Sequence, residues 1–206
     1  MHPTKRLVGV ASALLLAVAL AGCSTTGSGA LAQTVGAPAT VPGGGSAGSG
    51  GSGGPGAVGL TDADGYIPDG TSLPLESDRP AVAHLDPDLL AALRHAQSAM
   101  RQEGAGSAIT IADGWRSERY QEHLFAQAVK QYGSEEEAEK WVKRGSDSAH
   151  VRGEAVDIAD AGAMDYLNRF GAEWGLCQVY ANEAWHFELR TAPGGTCPAQ
   201  SLDGRG

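Results

Sequence analysis

Between residues 7 and 61 the chain carries no charged side chain, whereas all 24 of its Asp and Glu stand at or after Asp62. A globular surface needs charged groups to stay solvated, so this break confines the fold to the later part of the 206 residues. Within the uncharged part, Ser24 to Gly59 is dominated by Gly, Ser, Pro, Ala and Thr with no aromatic residue, and it holds much of the excess among the 30 glycines. Such a stretch buries too little apolar area to offset its ordering entropy and reads as a flexible linker, 23–59. The remainder, 60–206, is one domain of ordinary size. It holds 13 of the 15 Lys and Arg against all 24 acids, a net charge of −11. That balance argues against nucleic-acid binding, which needs a basic face.

The N-terminus has the layout of an export signal. Lys5 and Arg6 precede an apolar run that is short for a membrane span and ends in Leu20-Ala21-Gly22-Cys23. The Leu-Ala-Gly-Cys end resembles a bacterial lipobox, which implies a signal peptide over 1–22 and lipidation of Cys23. The alternative is an uncleaved anchor; both place the domain outside the cytoplasmic membrane. At −11 the domain would be repelled by an anionic membrane surface, so lipid rather than charge would hold it there. Cys177 and Cys197 then remain as an even pair. In an oxidising compartment they favour a disulfide, with free thiols or metal ligands as alternatives.

Apolar spacing and capping residues outline the elements. Asp86-Pro87 opens a helix whose Leu89, Leu90, Leu93, Ala96 and Met100 face a core, and Gly104 stops it. A strand over 107–112 and a helix from Ser117 to about Gln131 follow, and Ser134 starts another helix. A strand over 155–159, a helix over 163–174 and two paired strands at 176–180 and 184–189 complete the pattern. Helices that precede and interrupt short strands predict an α+β domain with a small antiparallel sheet.

Four residues of the later part carry chemistry. His150, Asp157 and His186 offer two imidazoles and a carboxylate, a ligand set that suits zinc and leaves a fourth position to water. Glu183 lies three residues before His186, within reach of such a water as a general base. From spacing alone a second reading stands beside this one, in which His150 is a surface loop residue and His186 a half-buried strand residue. Asp160 and Glu188 read as solvated or supporting neighbours, and Trp185 as a packing residue beside the His186 ring. Lys143 and Arg144 are loop cations that a terminal carboxylate would attract.

The motif Ser148-x-His150-x-x-Gly153-x-Ala155-x-Asp157, followed by Glu183-x-Trp185-His186, resembles the double signature of the LAS metallopeptidases. Gly114-Trp115-Arg116-Ser117, with Gln121 beyond it, is similar to the substrate-side motif of their VanY-type D-alanyl-D-alanine carboxypeptidase branch; a Tyr is common where Trp115 stands. The resemblance runs over about residues 80–192. It implies the small α+β LAS domain, shared with hedgehog-like proteins, with a central antiparallel sheet and flanking helices. It further implies Zn2+ held by His150, Asp157 and His186, Glu183 as general base and acid, and Arg116 as the stabiliser of a developing oxyanion. Ser148 and Gln121 would hold the end of a peptide stem.

The expectation is a lipid-anchored, monomeric zinc D,D-carboxypeptidase that removes the terminal D-alanine from peptidoglycan stem peptides. The alternatives are an L,D-carboxypeptidase or endopeptidase on the same polymer, or a wall-binding lipoprotein without turnover.

Overall fold

The computed structural model describes residues 59–206. The expected signal peptide, Cys23 and all but the last residue of the linker lie outside the described residues. No helix among the described residues is long and apolar enough to cross a membrane.

After a short 3-10 turn at Asp62–Asp64, the chain runs through β1 (Leu73–Pro74), α1 (Pro80–Ala83), α2 (Pro87–Gln102), β2 (Thr110–Asp113) and α3 (Glu118–Tyr132). It continues with α4 (Glu135–Ala138), β3 (Ala155–Ile158), α5 (Ala161–Phe170), β4 (Leu176–Gln178) and β5 (His186–Leu189). The strands form one sheet in the order β1-β2-β3-β5-β4, every pair antiparallel. The α+β expectation is met.

Capping residues start the helices as their chemistry requires. Asp86 accepts from the Asp88 and Leu89 amides, and Ser117 from that of Tyr120. Ser134 accepts from the Glu137 amide, and Asp160, left without a role by the sequence, accepts from that of Ala163. The helix expected over 163–174 instead starts at Ala161 and tightens to a 3-10 turn at Gly171–Trp174. The strand expected over 107–112 begins only at Thr110. β1 and α1 were not anticipated, being too short to show a period.

Alternation along the strands divides the sheet into two chemical faces. Val156, Ile158, Phe187, Ile111 and Leu176 turn to one side and join Leu89, Leu93, Ala96 and Met100 of α2 and Leu167 of α5 in the main core. Asp157, His186 and Glu188 are the intervening residues and turn to the other. A smaller apolar cluster of Phe125, Ala128 and Ala138 joins α3 to α4. At the far edge, Cys177 and Cys197 form a disulfide.

Candidate metal and catalytic site

Register brings the site together. Asp157 stands opposite His186 across β3 and β5, and opposite Asp113 across β2 and β3. His150 arrives from the loop before β3, where Gly153 is required. Its φ is +74°, and a Cβ there would lie 2.4 Å from the His84 carbonyl oxygen. Gly114 is equally constrained: a Cβ would lie 2.1 Å from the Ala81 carbonyl oxygen. That close approach sets the Gly114 carbonyl against the His150 ring.

His150 Nε2, His186 Nδ1 and Asp157 Oδ1 converge, at 3.2 Å between the nitrogens and 3.4 and 3.2 Å from each to the oxygen. The outward nitrogens decide what these atoms are. His150 Nδ1 lies 2.8 Å from the Gly114 carbonyl and His186 Nε2 lies 2.9 Å from Glu188 Oε1. A carbonyl and a carboxylate only accept, so both outward nitrogens carry hydrogen. In the neutral rings the inward nitrogens then present lone pairs. Three acceptors face one another with no donor among them, an arrangement that calls for a cation. Zinc bonds of about 2.0–2.1 Å imply a tetrahedral edge of about 3.3–3.4 Å, which these separations match. The three residues fit a divalent metal.

Electrostatics follow the same logic. Burial alone would drive the proton off His186, but Asp157 and Glu188 outweigh it and raise the imidazole to about 9 in the metal-free protein. Burial likewise opposes charge on Asp157, yet His150, His186 and Arg116 hold its carboxyl well below the usual range. Glu183 is 6% exposed, with Oε2 3.9 Å from His186 Nδ1. Burial, helped by the Asp157 charge, pushes its carboxyl up to about 7.

Arg116 is buried behind the cluster. Its Nη2 donates to Asp157 Oδ2 at 3.0 Å, leaving Oδ1 to the metal position, and its Nη1 donates to Gln121 at 3.1 Å. Its Nε stands 3.0 Å from Asp113 Oδ1, an ion pair without an in-line hydrogen. Gln121, expected to hold a peptide stem, is 1% exposed and spends its amide on Arg116 and on the Lys143 carbonyl at 2.5 Å. Ser148 is buried in the turn that leads to His150. Of the residues singled out by the resemblance, His150, Asp157 and His186 converge, Glu183 stands beside them, and Arg116 and Gln121 lie behind.

Glu188, read as a solvated or supporting neighbour, is the hydrogen-bond partner that fixes the His186 tautomer. Two members escaped the sequence reading. Asp113 braces Arg116. Tyr180 packs its ring 5.0 Å from that of His186, the position given in expectation to Trp185. Among the described residues, the aromatic rings packed on His186 are those of His150 and Tyr180. Alternation from His186 to Glu188 was the available signal for Glu188; Asp113 joins through strand pairing and Tyr180 through packing of the segment after β4, and neither had one.

The family profile for D-alanyl-D-alanine carboxypeptidase, VanY, matches residues 82–192, more than half of the chain. The chain belongs to the VanY family. Membership makes it a hydrolase of the carboxypeptidase kind that acts on peptidoglycan. Similar solved structures include a variant of the vancomycin-resistance D,D-pentapeptidase VanY from a VanB-type cassette, in complex with Zn(II). It is 23% identical, with a TM-score of 0.46 over 50% of this chain and 71% of that one. VanYB in complex with D-alanine-D-alanine is 24% identical, with a TM-score of 0.46 over 50% and 70%. The L,D-carboxypeptidase LdcB is 21% identical, with a TM-score of 0.48 over 65% and 70%. No curated protein matches the chain.

Proposed function

We propose that this VanY-family protein is a zinc-dependent D,D-carboxypeptidase that removes the terminal D-alanine from peptidoglycan stem peptides at the cell envelope. The observation that carries the reading is the trio of inward-facing acceptors with a buried carboxylate beside it. His150, Asp157 and His186 hold the metal, which when bound supplies Lewis acidity to the scissile carbonyl and to water. Glu183 takes the proton of the attacking water and returns it to the leaving amine of D-alanine, a task suited to a carboxyl raised toward neutrality. Arg116 orients Asp157, and the η N–H groups it has left steady the carbonyl oxygen as charge develops. Ser148 helps hold the stem, and Gln121 serves by bracing Arg116.

The reading extends to the rest of the chain. Residues 1–22 are a lipoprotein signal, Cys23 carries lipid, and 23–59 is a tether for a monomeric domain at 60–206.

Purified protein incubated with defined muropeptides, with and without chelator, tests the activity. The expected product is a pentapeptide shortened by one D-alanine, with turnover abolished by chelator and restored by zinc. Cleavage confined to tetrapeptides would make it an L,D-enzyme, and cut cross-links an endopeptidase. No hydrolysis by zinc-loaded protein would make it a wall-binding protein.

A further inference from the structure

Lys143 stands apart from the other cations on the elements around the site. Lys140 pairs with Glu137, Arg144 with Glu122, Arg152 with Glu154 and Arg190 with Glu188. Among the described residues no carboxylate pairs with Lys143. Its ammonium instead lies 5.9 Å from the centre of the Tyr180 ring, the same ring that packs 5.0 Å from that of His186. Arg144, next in sequence, is occupied elsewhere, with its guanidinium on the Phe125 ring.

The backbone at Lys143 is also tied to the site. Its carbonyl accepts from Gln121, which accepts from Arg116, which in turn grips Asp157. The base of the lysine is thus fixed by a buried strut, and its four-carbon stem carries the ammonium to the face of Tyr180. Around it carboxylates are dense: Asp157, Glu183 and Glu188 crowd the cluster, Arg116 is engaged with Asp157 and Arg190 with Glu188, and the whole domain is acidic. A bound metal offsets charge at its own ligands, whereas a substrate carboxylate one residue away gains from a cation not already paired.

We propose that Lys143 receives the free C-terminal carboxylate of the substrate and so selects chain ends over internal peptide bonds. The inference rests on the carboxypeptidase reading above and deepens it. One residue spans about 3.5 Å, so a terminal carboxylate lies one residue beyond the bond that is cut. A peptide bond at that point in an unbroken chain carries no charge. The charge-assisted contact is therefore available to a terminal residue alone.

The test uses metal-loaded protein and an acyl-L-Lys-D-Ala-D-Ala peptide, as the free acid and as the C-terminal amide. Binding of both is measured by calorimetry in the Glu183→Gln background, and turnover of the acid in the wild type. Wild type is expected to favour the acid at least tenfold in binding. Lys143→Met should raise KM for the acid about tenfold with kcat changed less than about threefold, and bring acid and amide affinities together. Lys143→Arg should recover most of the preference. Equal affinity for acid and amide in wild type would overturn the proposal while leaving the carboxypeptidase reading intact. So would a preference that survives in Lys143→Met. If wild type neither binds nor cleaves the acid, the carboxypeptidase reading fails, and this proposal with it.

Discussion

At the scale of single residues, the site separates groups that hold a metal from the group that moves a proton. Glu183→Gln should keep the metal, because Glu183 is not among the three converging acceptors, and should lower turnover at least a thousandfold. Metal analysis beside hydrolysis of a D-Ala-D-Ala pentapeptide checks both halves. His150→Ala and His186→Ala should each lose the metal outright. Glu188→Ala removes the partner that keeps hydrogen on His186 Nε2 and should weaken metal affinity about 10–100-fold, read by chelator competition. Chemistry-bearing residues at fixed spacings were legible in the sequence: His150, Asp157, Glu183 and His186 stand in a motif. Asp113 and Tyr180 were not, since each acts on a partner that only strand pairing or loop packing brings near.

At the scale of elements, the His150 loop and the sheet edge are the places where backbone geometry matters most. Gly153→Ala puts a side chain at positive φ against the His84 carbonyl, and should cost about 1–3 kcal/mol or more. Because the same loop carries His150, urea midpoint and metal affinity should fall together. A loss of stability without a loss of metal would show that the loop has an alternative path. The Cys177–Cys197 bridge closes a loop spanning 20 residues, so replacing both with serine should remove about 3 kcal/mol in the same assay. Helices with caps and an apolar stripe were readable to within a few residues, as α2 shows. β2 was misplaced because Ser107 to Ile109 is apolar enough to look like a strand but precedes the pairing with β1 and β3. β1 is set wholly by its neighbour.

At the scale of the whole molecule, metal and pH act through one balance. In the metal-free protein the His186 imidazole is raised from an ordinary 6.5 to about 9, so its share of stability is full below 6.5 and is lost as pH climbs through 9. Glu183, raised from 4.5 to about 7, acts in the same direction over a lower range, because its folded form prefers the proton. The chelated protein should therefore lose Tm as pH rises from about 5 to 9. The metal-loaded protein, in which the ion takes the place of the His186 proton and its charge favours ionised Glu183 nearby, should lose much less, and metal affinity should rise over the same interval. A chelated protein whose Tm rises across that range would contradict the assignment of these groups.

The two faces of the sheet have a consequence for how the molecule matures. Val156 and Ile158 reach the core only in the register that turns Asp157 to the opposite side, and Phe187 does the same for His186 and Glu188. A slip of one residue would empty the core and scatter the ligands in the same stroke. The chain thus proofreads itself: a mispaired sheet cannot assemble the cutting centre, and hydrolytic power arises only in molecules that have finished folding.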